Sequence, residues 1–125
     1  DLRGFVRLLG QVPNERVAAL QGATDLFVLS SVLEATPTVA LEALATGTPV
    51  VSTDSPGGLE LASFFGDDIT VVPRRNPSAL ARAILAFLER PRRTRAETAQ
   101  KITECFRLDG VRARYLALYD EAIAE

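Results

Sequence analysis

A chain of 125 residues, 47% of them apolar, is long enough for one α/β domain with a real core and too apolar for a disordered segment. Its formal charge of -2 gives no global basic field to draw nucleic acid, and its longest apolar runs are too short to span a bilayer. With no histidine and one cysteine, Cys105, it has no imidazole base, no Ser-His-Asp triad, no histidine-containing zinc site and no internal disulfide.

Taken in chain order, Phe5-Val6-Arg7-Leu8-Leu9 is a strand candidate, Pro13 to Gly22 a short helix with Val17 and Leu20 inward, and Leu26 to Ser30 the next strand. Thr38 to Thr46 reads as a helix closed by Gly47, followed by the strand Pro49 to Thr53 and the loop Asp54-Ser55-Pro56-Gly57-Gly58. A helical turn or two from Leu59 to Phe64 precedes the strand Ile69 to Val72. Asn76-Pro77 caps an amphipathic helix through Leu80, Ile84, Leu85 and Leu88; Thr94 to Phe106 is another; Asp109 caps a last one carrying Val111, Tyr115, Leu118 and Ile123. The alternation predicts a Rossmann-like sheet of four parallel strands with helices on both faces, residues 77–125 being its helical end.

The most informative stretch is Glu34-Ala35-Thr36-Pro37-Thr38-Val39-Ala40-Leu41-Glu42, at the junction of a strand end and a helix start. In open α/β sheets ligands bind at such junctions. Pro37 suits the first helical position and Thr36 a capping one, which leaves the N–H groups of Thr38 and Val39 without intrahelical partners and open to a phosphate. Glu34 on the loop side can accept hydrogen bonds from sugar hydroxyls, and Glu42 further along the helix can accept from a ribose. The plainer readings are a carboxylate placed near a helix N-terminus by the macrodipole, worth ~0.3–1 kcal/mol, an ordinary surface glutamate, and a common Thr-Pro helix opening.

This segment, with Gly10-Gln11-Val12-Pro13, Ala23 to Ser31 and Glu42-Ala43-Leu44-Ala45-Thr46-Gly47-Thr48-Pro49-Val50-Val51, resembles the donor-binding half of retaining family 4 glycosyltransferases of the GT-B fold. The resemblance rests on the two glutamates with seven residues between them and the run that follows, and it covers nearly the whole chain. The family usually has glycine and an aromatic or aliphatic residue where this chain has Ala35 and Thr36. The resemblance implies part of the C-terminal domain of a GT-B fold, a UDP- or GDP-sugar as donor, an acceptor of unknown identity, and no cofactor or metal. It makes Glu34 the catalytic-site carboxylate and places Val12, Glu34, Thr36, Pro37, Thr38, Val39 and Glu42 at the nucleotide sugar. Val12 would meet the base; its plainer role is an N-terminal staple for the Pro13 helix.

The family's first two strand-helix units, which supply an Arg and a Lys to the diphosphate, have no counterpart here. With no Met at position 1 and a strand four residues in, the chain reads as a piece, inactive alone and prone to self-association through an unpaired sheet edge. Cytoplasmic residence fits the cysteine usage, with the inner face of the membrane as a second place for the parent. The basic run Arg90-Pro91-Arg92-Arg93-Thr94-Arg95 either touches anionic lipid or phosphate or, as such runs more often do, forms a solvated inter-helix surface. Gly57 and Gly58 either allow a ligand's close approach or mark an ordinary turn; Asp67-Asp68 is a turn signal. The alternatives are a non-hydrolysing nucleotide-sugar epimerase fragment, a non-catalytic α/β module and an inactive remnant. A Gly-x-Gly-x-x-Gly dinucleotide fingerprint is absent, and the one lysine, Lys101, lies in a late helix rather than at a strand end.

Overall fold

A computed structural model describes residues 2–124 of the chain. In order, its elements are α1 (Asn14–Ala23), β1 (Phe27–Leu29), α2 (Thr38–Ala45), β2 (Val50–Thr53), α3 (Pro56–Phe65), a 3-10 turn (Gly66–Asp68), β3 (Ile69–Val72), α4 (Pro77–Glu89), α5 (Ala96–Phe106) and α6 (Leu108–Ala124). The strands form one parallel sheet in the order β1-β2-β3, with Val50 paired to Phe27 on one side and to Ile69 on the other. Parallel neighbours need a crossover, and α2 and α3 supply them. The α/β architecture read from the sequence, a parallel sheet flanked by helices, is the one observed.

Central strand β2 is buried at all four positions, which explains why Val50-Val51-Ser52-Thr53 carries no charge. Its side chains alternate between two cores. Val50 packs with Ala40, Leu41 and Leu44 of α2, Leu61 and Phe65 of α3 and Ile69 of β3, while Val51 meets Val72 and Ala79 on the face covered by α4. α2 lies between the sheet, α1 and α5, so it buries Ala40, Leu41, Ala43 and Leu44 and leaves Thr38, Glu42 and Ala45 exposed. It ends in a Schellman arrangement: Gly47 at φ 85° donates to Leu44 O and Thr48 N–H donates to Ala43 O.

Four expectations are corrected. Phe5–Leu9 forms no strand, with Phe5 91% and Leu8 93% exposed, so the sheet has three strands. Strand propensity describes fit to a half-buried sheet surface, and this run lies paired to no strand. α3 begins at Pro56 rather than Leu59, because Ser55 Oγ accepts from Gly58 N–H and Pro56 fills the first helical position. α4 turns its small residues inward, Ala79 and Ala83 packing with Leu80, while Leu85 and Leu88 face out; Asn76 caps it as expected. α6 takes Asp109 into its first turn instead of using it as a cap; it leans on α5 and buries no residue, leaving Tyr115, Leu118 and Ile123 exposed.

The edge of the sheet where the strands begin is fastened by one carboxylate. Asp68 is 1% exposed and accepts from Arg92 Nη1 (2.7 Å), Arg95 N–H (3.1 Å), Arg95 Nε (3.3 Å) and Thr98 Oγ1. Burial pushes its carboxyl up, but the hydrogen bonds from Thr98, Arg92 and Arg95 together outweigh this and hold it below its ordinary value of 3.8. Beside it, Arg93 donates to Thr24 O (2.8 Å), Gly22 O (2.9 Å) and Thr46 O (3.1 Å), closing the C-terminal ends of α1 and α2. Arg95 Nη2 and Lys101 Nζ reach Phe65 O and Phe64 O at the end of α3. Cations at helix C-termini complement both the dipole and the orphan carbonyls. Three of the four arginines in the basic run thus stay exposed, as the solvated-surface reading expects, while their guanidinium groups also hydrogen-bond back to the fold.

Asp68→Ala strands the Thr98 hydroxyl and the Arg95 N–H. We expect it to cost about 2–3 kcal/mol, below a fully buried pair because both guanidinium groups are half in water. In the wild type the network's contribution is full above the unfolded carboxyl value and disappears as pH falls through the lower folded one. Urea titrations across the acid range should show that loss in the wild type and not in Asp68→Ala.

A Cβ on Gly57 would sit 2.1 Å from Ala35 O and 2.8 Å from Pro37 Cδ, against backbone and ring atoms that cannot swing away. Gly57→Ala should therefore destabilise the domain by about 1–3 kcal/mol. An unchanged denaturation midpoint would mean that the contact yields freely.

Candidate functional site

The opposite edge, where the strands end, gathers Ser30 and Ser31 after β1, Thr53 and Asp54 at and after β2, and Pro73 to Asn76 after β3. The loop from Ser30 to Pro37 has no regular structure of its own and is held by side chains. Thr53 Oγ1 donates to Ser31 O, Ser31 Oγ donates to Glu34 Oε1 (2.7 Å), and Gly57 N–H donates to Glu34 O (2.9 Å). The two glycines thus serve a close approach within the protein: α3 starts directly against the Glu34-Ala35 backbone, and a Cβ on Gly58 would meet Thr53 O at 2.3 Å.

Glu34 is half-buried at the turn into α2, with one carboxylate oxygen taken by Ser31. Thr36 is exposed and does not cap the helix; Pro37 itself stands at the N-cap with φ -76° and ψ 90°, and no side chain caps that end. This corrects the expected Thr36 cap, and the reason is steric. Pro37 is buried against the start of α3, so the helix can begin only at Thr38. Pro37 O accepts from Ala40 N–H (3.0 Å) and Leu41 N–H (3.3 Å). The N–H groups of Thr38 and Val39 have no acceptor among the described residues. Glu42 lies one turn on, exposed on the same face as Thr38.

Val12 and Val39 meet in a second feature. With Val17, Leu20, Phe27 and Val28 they line an apolar cleft of about 400 Å³ beside β1, at the flank of the α2 start. Glu34 and Glu42 lie outside its lining. Gln21 anchors this side: it is 5% exposed, its Nε2 donates to Val39 O (3.0 Å), and its backbone carbonyl accepts from Thr48 Oγ1 (2.6 Å). The seven residues singled out from the sequence thus divide into an apolar pair, Val12 and Val39, and a polar rim, Glu34, Thr36, Thr38 and Glu42, with buried Pro37 between.

Sequence reasoning missed Arg74. Its backbone N–H (2.8 Å) and Nε (3.0 Å) both donate to Asp54 Oδ1, Nη2 donates to Asp54 O (2.9 Å) and Nη1 to Val32 O (3.3 Å). The Arg74 backbone N–H beside Asp54, helped by the guanidinium, holds that carboxyl below its ordinary range against the opposing effect of desolvation. The available signal was an arginine pair one residue beyond a strand, opposite an Asp directly after its neighbour. Arg75 follows at φ 56°, the one described non-glycine residue in the left-handed region, and lines a cavity of about 150 Å³ with Ser30, Thr53, Asn76 and Leu80.

The chain is 31% identical over 121 residues to a D-inositol 3-phosphate glycosyltransferase of Corynebacterium glutamicum (strain R), covering 95% of this chain and 29% of that protein. It is 33% identical over 120 residues to a protein of the same name in Thermobispora bispora, covering 94% of this chain and 28% of the relative. A shorter match, 43% identical over 79 residues, covers 62% of this chain and 20% of a Bacillus subtilis (strain 168) glycosyltransferase named for teichuronic acid biosynthesis, TuaC. The chain therefore spans less than a third of the length of these curated relatives. No solved structure matches it significantly. The family model described as glycosyl transferases group 1 matches residues 1–104, and the chain belongs to that family.

Proposed function

We propose that the chain is the donor-binding portion of a retaining, family 4 glycosyltransferase of the GT-B fold, which moves a sugar from a nucleoside diphosphate to an acceptor. The observation that carries this reading is the start of α2, whose Thr38 and Val39 N–H groups are unspent at the strand-end edge of a parallel sheet, between Glu34 and Glu42. An anionic diphosphate suits such a terminus through both its free donors and its dipole. Glu34 orients the sugar's hydroxyls, Glu42 the ribose, and the apolar cleft at Val12 and Val39 takes the flat face of the base, with Thr36 and Pro37 shaping the turn between.

In the reaction this implies, the bond between the sugar's anomeric carbon and the diphosphate breaks while a bond to the acceptor oxygen forms on the same face. The acceptor's proton passes to the departing phosphate oxygen. The charge that develops there is stabilised by the helix N–H groups. The relatives' names refer to D-inositol 3-phosphate and to teichuronic acid biosynthesis, two unlike settings, which supports a common donor portion with acceptor choice made elsewhere.

The chain exposes 9027 Å², whereas a globular monomer of this mass exposes about 6,500 Å². The surplus lies with residues such as Phe5, Leu8, Leu108 and Ile123. That supports a working state in which further polypeptide, or a second copy, covers α6 and the first residues, and a chain inactive by itself.

Titration of the chain with UDP and GDP, followed by backbone amide resonances, tests the site directly. The Thr38 and Val39 signals should move first; no response there at millimolar nucleotide would end the donor reading. Glu42→Ala should weaken nucleotide affinity about tenfold, the scale of one charge-assisted hydrogen bond. Glu34→Ala should leave that affinity within about twofold and instead depress turnover in the full-length enzyme, because its partner is the reacting sugar. Calorimetry on the two variants separates these roles, and equal affinity in wild type and Glu42→Ala would remove Glu42 from the site.

A further inference from the structure

We propose that Arg74 is a positioning residue of the donor site, holding the loop that carries Glu34 and the start of α2 in register with the ends of β2 and β3. The inference rests on the donor-site reading for its consequence in binding, and on geometry alone for the positioning itself.

Three strand ends meet at one guanidinium. Arg74 follows β3, Asp54 follows β2, and Val32 lies in the loop after β1, two residues before Glu34. The contacts use different nitrogens: Nε goes to Asp54 Oδ1, Nη2 to Asp54 O and Nη1 to Val32 O. A planar fork can satisfy these directions at once, whereas an ammonium is a point charge on a flexible stem. Arg74 N–H donating to the Asp54 side chain at Oδ1 and Asp54 N–H donating to the backbone at Val72 O fix the base of the fork.

The Arg74 and Asp54 side chains are each 39% exposed, and an ion pair so wet contributes little to global stability. The contact has a local target instead. Residues 30–37 form neither helix nor strand, so their shape rests on the few bonds that reach them. Thr53 holds Ser31, Gly57 holds Glu34, and Arg74 holds Val32 between those points. Because its donors are directed at Asp54 and Val32, Arg74 acts on a bound diphosphate through the loop rather than by touching it.

The test compares Arg74→Ala, Arg74→Lys and Asp54→Ala with wild type. Three readouts are needed: hydrogen exchange at the Gly57 amide, which donates to Glu34 O and reports loop closure, the thermal midpoint, and affinity for UDP and GDP. Positioning predicts exchange at Gly57 faster by about tenfold in all three variants, nucleotide affinity lower by about five- to tenfold, and a midpoint shift no larger than a surface ion pair gives. The Asp54→Ala, Arg74→Ala double variant should be no worse than either single one. Unchanged Gly57 exchange in Arg74→Ala overturns the proposal. So does wild-type nucleotide affinity in Arg74→Lys, which would mean that charge alone is used. A wild type that ignores both nucleotides defeats the donor reading and leaves the exchange measurement to decide the positioning.

Discussion

The buried carboxylate of Asp68 is the constraint on which this fold is arranged. An ionised group 1% exposed is tolerable only if donors surround it, and the donors come from Arg92 and Arg95 on the segment that links α4 to α5 and from Thr98 in the first turn of α5. Satisfying Asp68 therefore pulls that segment across the edge where the strands begin. Once there, Arg93 and Arg95, with Lys101 of α5, fall within reach of the carbonyls that end α1, α2 and α3. One buried acceptor thus organises the closure of three helix C-termini, and it places α5 against α2, where Ile102 joins the main core.

That arrangement has a counterpart at the other edge. The helices α2 and α3 run antiparallel to the strands they follow, so closing their C-termini at the strand-start edge leaves their N-termini at the strand-end edge. α3 spends its own on Ser55 and on close contact with the Glu34-Ala35 backbone. α2 does not: Pro37 at its N-cap has no side chain to offer, and the first N–H groups remain open. The same sterics that bury Pro37 against Gly57 thus keep the start of α2 uncapped. Packing and site share one cause here. The strand-start edge has helix ends bonded by Arg93, Arg95 and Lys101, whereas at the strand-end edge the Thr38 and Val39 donors stay unspent.

Local patterns carried much of this into the sequence. The charge-free run at Val50 to Thr53 marks a strand buried on both faces, the Thr46-Gly47-Thr48-Pro49 sequence marks a helix stop before it, and Asn76-Pro77 marks a helix start. Each signal is written within a few residues of its effect. Patterns that depend on a partner misled. Phe5–Leu9 has strand composition and pairs with no described strand, and the apolar Tyr115, Leu118 and Ile123 of α6 have helical spacing yet stay exposed. The bonds made by the arginine run were not legible locally because its acceptors lie far away in sequence: Asp68 precedes Arg92 by 24 positions and Thr24 precedes Arg93 by 69.

What the sequence determined by itself was the α/β class, the positions of the three paired strands along the chain and the placement of Glu34 and Glu42 around a helix start, because backbone propensity and hydrophobic period act over short range. The tertiary structure decided which polar groups remain free. Gly57 and Gly58 proved to be contact points for Ala35 and Thr53 rather than a ligand turn, and Asp54 and Arg74 became a tie between three loops. A hydrogen-bonding group has no fixed role until its nearest partner is known, and in a parallel sheet with helical crossovers the nearest partners sit on strand ends that the chain visits far apart.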